Sequence, residues 1–568
     1  MEQPEQILMK YWKHSSFLEN QERIIHHVLN GEDTLALLPT GGGKSLCYQI
    51  PSLMMDGICL VISPLISLMQ DQISEMKERG IKAISINNLS PERLNTYLTN
   101  CIYGQYKFLY LSPEKLENKL VQKKIAEMNV NLIAVDEAHC ISAWGHNFRP
   151  KYRNIASIRE YLPAVPILAL TATATEQVAR DIKRSLNFKS DNVIRSSFIR
   201  KNISYVVTHQ KEKEKELLRV LKKINGSSIV YARSRQECIQ INQLLIKNNI
   251  KSEYYHAGVD IKERIKKQSL WRRNKIRIMV ATNAFGMGIN KLDVRLIVHM
   301  HIPINIESYY QETGRAGRDK KNAHAIMIYN DYDIEHLKKI VVYNFPLIEE
   351  IKELYQNLAN FFHLPVNHGM NETFHFNIKK FSVRYDILIH RIDIILRYLE
   401  KYQYLKINDI MNNESKIKFL VTHVNLNNFQ DANRYYNQII TTILRSYTGL
   451  FDSLVKINEE TIAAIMSCKE EKIINDLIKL EELEIIKYSR KEKGDKEITY
   501  IQNRLEKKHV VISEKEINRE RDMCQKKIRF MMNYCQQNIN CRSKELLLYF
   551  GEDKEFSCGK CDLCKKNN

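Results

Sequence analysis

The sequence predicts an α/β protein. Two tandem parallel-sheet domains lead, helical and winged-helix modules follow, and a small cysteine-bearing helical module ends the chain. Three observations carry this. Short apolar runs alternate with amphipathic stretches over residues 1–200, and the pattern restarts after Phe198, as parallel sheets covered on both faces require. After about residue 346 long helical patterns rich in Lys and Asn take over. Four cysteines then cluster near the C-terminus. The expected boundaries are 1–198, 199–345, 346–455 (helical or winged-helix-like), 456–510 (winged helix) and 511–568.

In the first domain the strand candidates are Thr34–Leu38, Cys59–Ile62, Phe108–Leu111, Leu132–Val135 and Ile167–Leu170. In the second they are Ile229–Tyr231, Ser252–Tyr255, Ile278–Ala281, Leu296–His299 and Ala325–Tyr329. Val383–Tyr404 carries Ile387, Ile394, Ile395 and Leu399 at helical spacing. Residues 456–503 read as a winged helix. Thr461–Met466 and Lys472–Leu480 are its helices, and Ile485–Tyr488 and Ile498–Ile501 its strands around a Gly494-Asp495 turn. Such a module binds nucleic acid or protein, or only packs.

The chain has 568 residues, enough for three or four domains, and 44% of them are hydrophobic, enough for genuine cores. A formal charge of +20 favours a polyanionic partner, nucleic acid first and an anionic membrane surface second. The N-terminus lacks a basic segment followed by an apolar one, and the apolar window Ile58–Met69 is broken by Ser63 and Pro64. The expectation is a cytoplasmic protein without a membrane partner, whose eight scattered cysteines are free thiols.

The chemistry starts where an apolar strand runs into Pro39-Thr40-Gly41-Gly42-Gly43-Lys44-Ser45. Three glycines let backbone N–H groups face a phosphate, Lys44 would reach the β- and γ-phosphates of ATP, and the Ser45 hydroxyl would bind Mg²⁺. Asp136 and Glu137 end another apolar strand. Asp136 suits the Mg²⁺ shell, and Glu137 suits orienting and deprotonating the attacking water. Phosphoryl transfer also needs positive charge beyond the γ-phosphate. Gln311-Glu312-Thr313-Gly314-Arg315-Ala316-Gly317-Arg318-Asp319 supplies it from the second domain, with Arg315 and Arg318 three apart on one helical face. One arginine could instead pair with Glu312 or Asp319. The loop after Asp136 carries Trp144, Phe148 and Arg149, residues suited to stacking on bases. Together these read as an ATPase wired to a polynucleotide.

Cys558, Cys561 and Cys564 lie at intervals of three, with Cys541 seventeen residues upstream. Four soft ligands at this spacing suit a closed tetrahedral Zn²⁺ site. Cys535 lies on a helical pattern with Met531 and Tyr534 and is excluded from it.

The chain resembles the superfamily 2 helicases, and among them the RecQ-family DNA helicases. The resemblance covers roughly residues 10–335 and rests on Thr40–Ser45, Ser63–Met69, Asp136–Pro150, Thr171–Ala174, Tyr255–Gly258, Ala284–Lys291 and Gln311–Asp319, in family order. It implies two RecA-like domains, DNA as substrate, 3′-to-5′ movement on single-stranded DNA, unwinding of tailed or forked duplexes, and a place in repair or recombination. By resemblance Gln21 reads adenine. His139, Thr171 and Thr173 couple the ATP site to DNA, and Trp144, Phe148 and Arg149 sense single strands. Gly288, Asn290 and Lys291 touch both DNA and the nucleotide side, and Arg315 and Arg318 are arginine-finger candidates. A single-strand-binding protein is an expected partner, the expected state a monomer, and the location the cytoplasm, at the nucleoid if bacterial. The alternative is a DNA-stimulated ATPase that translocates or regulates without separating strands.

Two departures stand out. Ahead of the phosphate loop the family has a Tyr and then Phe-Arg-Pro-Gly-Gln; this chain has His14 and Phe17-Leu18-Glu19-Asn20-Gln21, so the arginine becomes Leu18. In most relatives the zinc module directly follows the second α/β domain, whereas here residues 346–515 intervene.

Overall fold

A computed structural model describes residues 3–87, 89–142, 149–286, 291–409, 415–490, 495–553 and 555–566. Trp144, Phe148, Gly288 and Asn290 lie outside the described residues, as does Gly494.

The first domain is a seven-stranded parallel sheet. Its strands are β1 (Thr34–Leu37), β2 (Ile58–Ile62), β3 (Ala83–Ser85), β4 (Phe108–Leu111), β5 (Val130–Val135), β6 (Ile167–Thr171) and β7 (Asn192–Arg195), in the order β3-β4-β2-β5-β6-β1-β7. Successive residues of a strand enter opposite cores: Leu35 and Leu37 pack on one face, Ala36 and Leu38 on the other. That double burial explains the continuous apolar runs. The order places the carboxyl ends of β5, β6 and β1 side by side, where an open parallel sheet holds its ligand.

The second domain is a six-stranded parallel sheet of β8 (Ile203–His209), β9 (Ser227–Tyr231), β10 (Ser252–Tyr255), β11 (Ile278–Ala281), β12 (Val294–His299) and β13 (Ala323–Tyr329), in the order β10-β11-β9-β12-β13-β8. All ten expected strands are present. The three that sequence patterning misses, β3, β7 and β8, end their sheets, where alternation is weak or the run is short.

The chain divides into two units: residues 1–341 with 520–568, and residues 342–519. In the first unit the C-terminal module completes the second domain's core. Ile528, Met531, Tyr534, Cys535, Leu546, Leu547 and Phe550 pack with Tyr309, Tyr310 and Met327. Thus the cysteine-bearing module, although last in sequence, packs on the second parallel-sheet domain; residues 342–519 are an excursion between leaving that domain and returning to it.

The second unit holds two small cores. One contains β14 (Thr373–Asn377), β15 (Leu405–Asp409) and β19 (Asp495–Tyr500), antiparallel in the order β14-β19-β15. The other contains β16 (Ser415–Phe419), β17 (Val455–Ile457) and β18 (Ile486–Ser489), in the order β17-β16-β18, under helices Arg434–Ser446, Glu459–Ile465 and Glu470–Glu482. The hairpin expected around residues 494–495 is therefore not formed: β18 pairs with β16, while β19 pairs with β14 and β15. Two apolar strands around a polar turn look like a hairpin locally, but pairing is decided by which core each strand's apolar face completes. The helix expected over 383–404 is also two helices, Ile378–Tyr385 and Ile389–Lys401. They are broken at Asp386, whose backbone is left-handed at φ +52°.

Candidate functional site

The phosphate loop leaves β1 and enters the helix Leu46–Met54, with Gly41 and Gly43 at φ +80° and +67°, conformations that L side chains rarely adopt. Gln21 lies beneath it. Its side-chain amide donates to the carbonyls of Gly42 (3.3 Å) and Gly43 (3.0 Å), and its Oε1 accepts from the Leu18 N–H at 2.8 Å. A Cβ at Gly43 would stand 2.3 Å from the Gln21 nitrogen, so a side chain there would displace the Gln21 amide from the loop carbonyls. In this structure Gln21, which the resemblance assigns to adenine, braces the phosphate loop.

β5 delivers Asp136 and Glu137. Glu137 turns into the left-handed region at φ +48°, which starts a short 3₁₀ turn over Ala138–Ile141. Burial, then the neighbouring Glu137 charge, push the Asp136 carboxyl up to about 7, against the pull of Lys44. Burial depresses Lys44 below its ordinary range, while Glu137 and Asp136 hold it up. This is a desolvated cluster of one cation and two carboxylates.

From Glu137 a buried polar chain runs to β6. Its carboxylate lies 3.3 Å from His139 Nδ1, His139 Nδ1 shares a 2.8 Å hydrogen bond with Thr171 Oγ1, and the Thr173 N–H donates to Thr171 Oγ1 at 3.3 Å. Burial opposes protonation of His139, yet Cys140 and Glu137 together raise it to about 10, favouring an imidazolium beside the carboxylate. Of the three residues expected to sense single strands, Arg149 is described, and its guanidinium donates to the Pro64 carbonyl at 2.9 Å.

The second domain meets this cluster directly. Gln311 Nε2 donates to Glu137 Oε1 at 3.4 Å. The two arginines part company. Arg315 donates to the Gly286 carbonyl within its own domain. Arg318 crosses to the phosphate loop, its Cγ 3.4 Å from where a Cβ on Gly41 would stand, and its charge is among those that depress Lys44. Burial, then Arg315 and Arg200, lower Arg318 to about 9. Neither Glu312 nor Asp319 takes an arginine of this pair: Glu312 holds His299 at 2.8 Å, and Asp319 holds Arg295 at 2.6 Å. Lys291 is buried and directed into its own domain, to Asn274 Oδ1 (2.8 Å), Asp293 (2.9 Å) and the Arg272 carbonyl (3.2 Å). Sequence reasoning missed Arg200, which touches Thr40 from the segment joining the two sheets. No motif surrounds it, and only the three-dimensional contact reveals it.

The four cysteines converge, their Sγ atoms all within 4.8 Å of one another. Backbone N–H groups point at the sulfurs: Cys558 to Cys541 (3.3 Å), Cys561 to Cys558 (3.2 Å), Lys560 to Cys558 (3.4 Å) and Cys564 to Cys561 (3.3 Å). Such donors stabilise thiolates, and hydrogen bonding from Cys541, then from the Lys560 and Cys561 N–H groups, lowers the Cys558 thiol against the pull of burial. The buried Arg542 pairs with Asp562 at 3.0 Å, locking together the segments that bear Cys541 and Cys561. Four converging soft donors with this support fit Zn²⁺. Cys535 stands apart, with its Sγ on Met327.

Comparison with known proteins agrees with this geometry. Residues 18–182 match the DEAD/DEAH box helicase family, 212–320 the helicase conserved C-terminal domain, 417–490 the RecQ helicase winged-helix domain of Bacteroidota and 496–565 the RecQ zinc-binding domain. The chain is 43% identical over 338 residues to the ATP-dependent DNA helicase RecQ of Haemophilus influenzae, covering 59% of this chain and 55% of that one. It is 38% identical over 355 residues to the probable ATP-dependent DNA helicase RecS of Bacillus subtilis, covering 62% of this chain and 71% of the relative. The chain thus spans just over half the length of the first relative. A crystal structure of the DUF1998 helicase MrfA bound to DNA shares the fold, with a TM-score of 0.50 at 19% identity over 72% of this chain and 58% of that one. Two RecA-like sheets that meet around Lys44, Glu137, Gln311 and Arg318, a four-cysteine module packed on the second sheet, and a long match to the curated relatives together make this chain a member of the RecQ helicase family.

Proposed function

We propose that the chain is an ATP-dependent DNA helicase that moves 3′ to 5′ on single-stranded DNA and opens tailed or forked duplexes, in repair or recombination. The observation that supports it most is the shared site: Lys44, Asp136 and Glu137 on the first domain lie against Gln311 and Arg318 from the second. A site completed by both domains lets each ATP cycle close and open the cleft.

ATP supplies the γ-phosphoryl group and Mg²⁺ the charge that shields it. Thr40 to Gly43 would cradle the phosphates with backbone N–H groups, and Lys44 would neutralise the β- and γ-oxygens. Ser45 and Asp136 are the oxygen donors suited to Mg²⁺. Glu137, positioned by Gln311 and His139, would orient the attacking water and take its proton. Arg318 would meet charge developing beyond the γ-phosphate. Arg315, bonded to Gly286, would hold its segment. The chain Glu137–His139–Thr171 joins hydrolysis to β6 and gives DNA contacts a route to the carboxylate. Lys291, held by Asn274 and Asp293, would act with Asn290 between DNA and the nucleotide side. Trp144 and Phe148 would stack on bases.

Cys541, Cys558, Cys561 and Cys564 would hold Zn²⁺ as a structural ion. The protein would act in the cytoplasm as a monomer, at the nucleoid if bacterial, with single-strand-binding protein as a partner. Among the described residues, no helix is long and apolar enough to cross a membrane. A test of the sensor is Trp144→Ala. Stimulation of ATP hydrolysis by single-stranded DNA should fall while DNA binding persists; unchanged stimulation would remove the base-stacking role.

A further inference from the structure

Arg200 lies on the segment that joins the two parallel-sheet domains, outside every motif that carries the resemblance. Its guanidinium is a fork with five donors in fixed geometry, and nearly all of that geometry is in use. Nη1 donates to the Thr40 carbonyl at 3.2 Å, Thr40 Oγ1 at 3.4 Å and the Gly314 carbonyl at 2.9 Å; Nη2 donates to the carbonyls of Ala316 (2.8 Å) and Gly317 (3.3 Å). One side chain thus joins the phosphate loop to the backbone between and beside Arg315 and Arg318. The two segments are in close approach there: a Cβ on Gly314 would fall 1.8 Å from Thr40 Oγ1.

The segment bearing Arg200 is itself held from the C-terminal module. Glu552 accepts from Ser197 Oγ at 2.7 Å and from the Phe198 N–H at 2.5 Å. Phe198 stacks on Phe550 with ring centroids 4.6 Å apart, and its carbonyl accepts from Tyr310 Oη at 2.8 Å. Asn202 donates to the carbonyls of Gly317 (2.7 Å) and Lys321 (2.8 Å). Both flanks of Arg200 are therefore fixed, one by the cysteine-bearing module and the other by the arginine segment. Of Arg200's bonds, the two to Thr40 reach the first domain, and those to Gly314, Ala316 and Gly317 reach the second.

We propose that Arg200 is a positioning residue for ATP hydrolysis, which latches the phosphate loop to the segment carrying Arg318 when the cleft closes, and that Glu552 of the cysteine-bearing module sets its position. The inference rests on the ATPase reading above. It assigns the C-terminal module a role at the nucleotide site besides any contact with DNA.

The test uses the full-length zinc-loaded chain. Steady-state ATP turnover is measured with and without single-stranded DNA, nucleotide affinity by titration with a fluorescent ATP analogue, and zinc content and melting temperature as controls. Arg200→Ala should lower DNA-stimulated kcat about ten-fold or more while nucleotide Kd stays within about three-fold, the mark of lost positioning rather than lost binding. Arg200→Lys keeps the charge but not the fork, and should remain about five-fold below wild type. Glu552→Gln should lower kcat about three-fold with zinc content unchanged. If Arg200→Ala does not fold, Arg200→Lys decides alone. Turnover within about two-fold of wild type in the alanine variant, or full turnover in the lysine variant, overturns the proposal. A wild-type chain that hydrolyses no ATP with DNA present removes the ATPase reading itself, whereas an active wild type with an indifferent Arg200 removes only this inference.

Discussion

At the phosphate loop, Lys44 shares a buried site with Asp136 and Glu137, and the charges of all three depend on one another. Replacing Lys44 by alanine removes the cation that would meet the phosphates and leaves the two carboxylates with His139 as their nearest described positive partner. ATP hydrolysis should fall to background, and single-stranded DNA should still bind in a direct binding assay. The arginines should separate by role. Arg318→Ala, which empties the space over Gly41, should lower kcat by about 10³-fold, as arginine-finger losses do. Arg315→Ala should act mainly through loss of the Gly286 contact and show a lower melting temperature as well. The pH profile follows from Asp136. Its carboxyl is raised from 3.8 to about 7 by burial and by Glu137, so it is neutral below that pH and ionised above it. The ionised form is the one suited to a divalent cation, and kcat/KM should therefore rise with pH through about 7. The stability sign is opposite. Without nucleotide, the folded chain binds this proton more tightly than the unfolded one, so the group's contribution to stability declines as pH rises from about 4 to about 7. Asp136→Asn should flatten that limb of a melting-temperature profile.

Element by element, the sequence is most legible where physics leaves few choices. A strand running into three glycines, Lys44 and Ser45 admits one backbone path, and Gly43 shows why, since the Gln21 amide occupies the space of a side chain there. Gly43→Ala combines that clash with a left-handed backbone worth about 1–2 kcal/mol, and should weaken nucleotide binding while circular dichroism stays near wild type. The nine interior strands announced themselves through double burial, and the edge strand β10 through its short aromatic run. β7 and β8, at sheet ends, and the three-residue β3 did not. The pairing of β18 and β19 with different sheets was not legible, because partner choice is a long-range property and the local pattern of two apolar strands around a polar turn is indifferent to it. The left-handed break at Asp386 was hidden inside a continuous helical pattern. The cysteine spacing was legible, and the structure adds the N–H donors and the Arg542–Asp562 pair behind it. Protein kept reduced should contain one zinc per chain by metal analysis. Cys558→Ser should lose the metal and expose the core shared by Tyr534 and Tyr309, seen as faster proteolysis of the C-terminal module; a metal-free wild type would remove the site.

On the scale of the whole molecule, the two RecA-like sheets and the C-terminal module form one unit, and residues 342–519 another. That division explains how a module that comes last in sequence still packs on the second sheet. It was not legible in order alone, because the return of the chain at residue 520 depends on apolar contacts such as Met531 and Phe550 with Tyr309 and Tyr310. With a formal charge of +20 and phosphate contacts expected to dominate, DNA affinity should fall steeply with salt, losing about 10³-fold or more between 50 and 200 mM for six or more phosphate contacts. A shallow slope would place recognition in base stacking instead. The central claim is that ATP turnover in the shared cleft drives strand separation in one direction. Its most direct measurement is unwinding of duplexes bearing a 3′ or a 5′ single-stranded tail, with and without ATP. The account predicts separation of the 3′-tailed duplex only, only with ATP, and none by Lys44→Ala; vigorous DNA-stimulated ATP hydrolysis without separation of either duplex, or separation that needs no ATP, would contradict it.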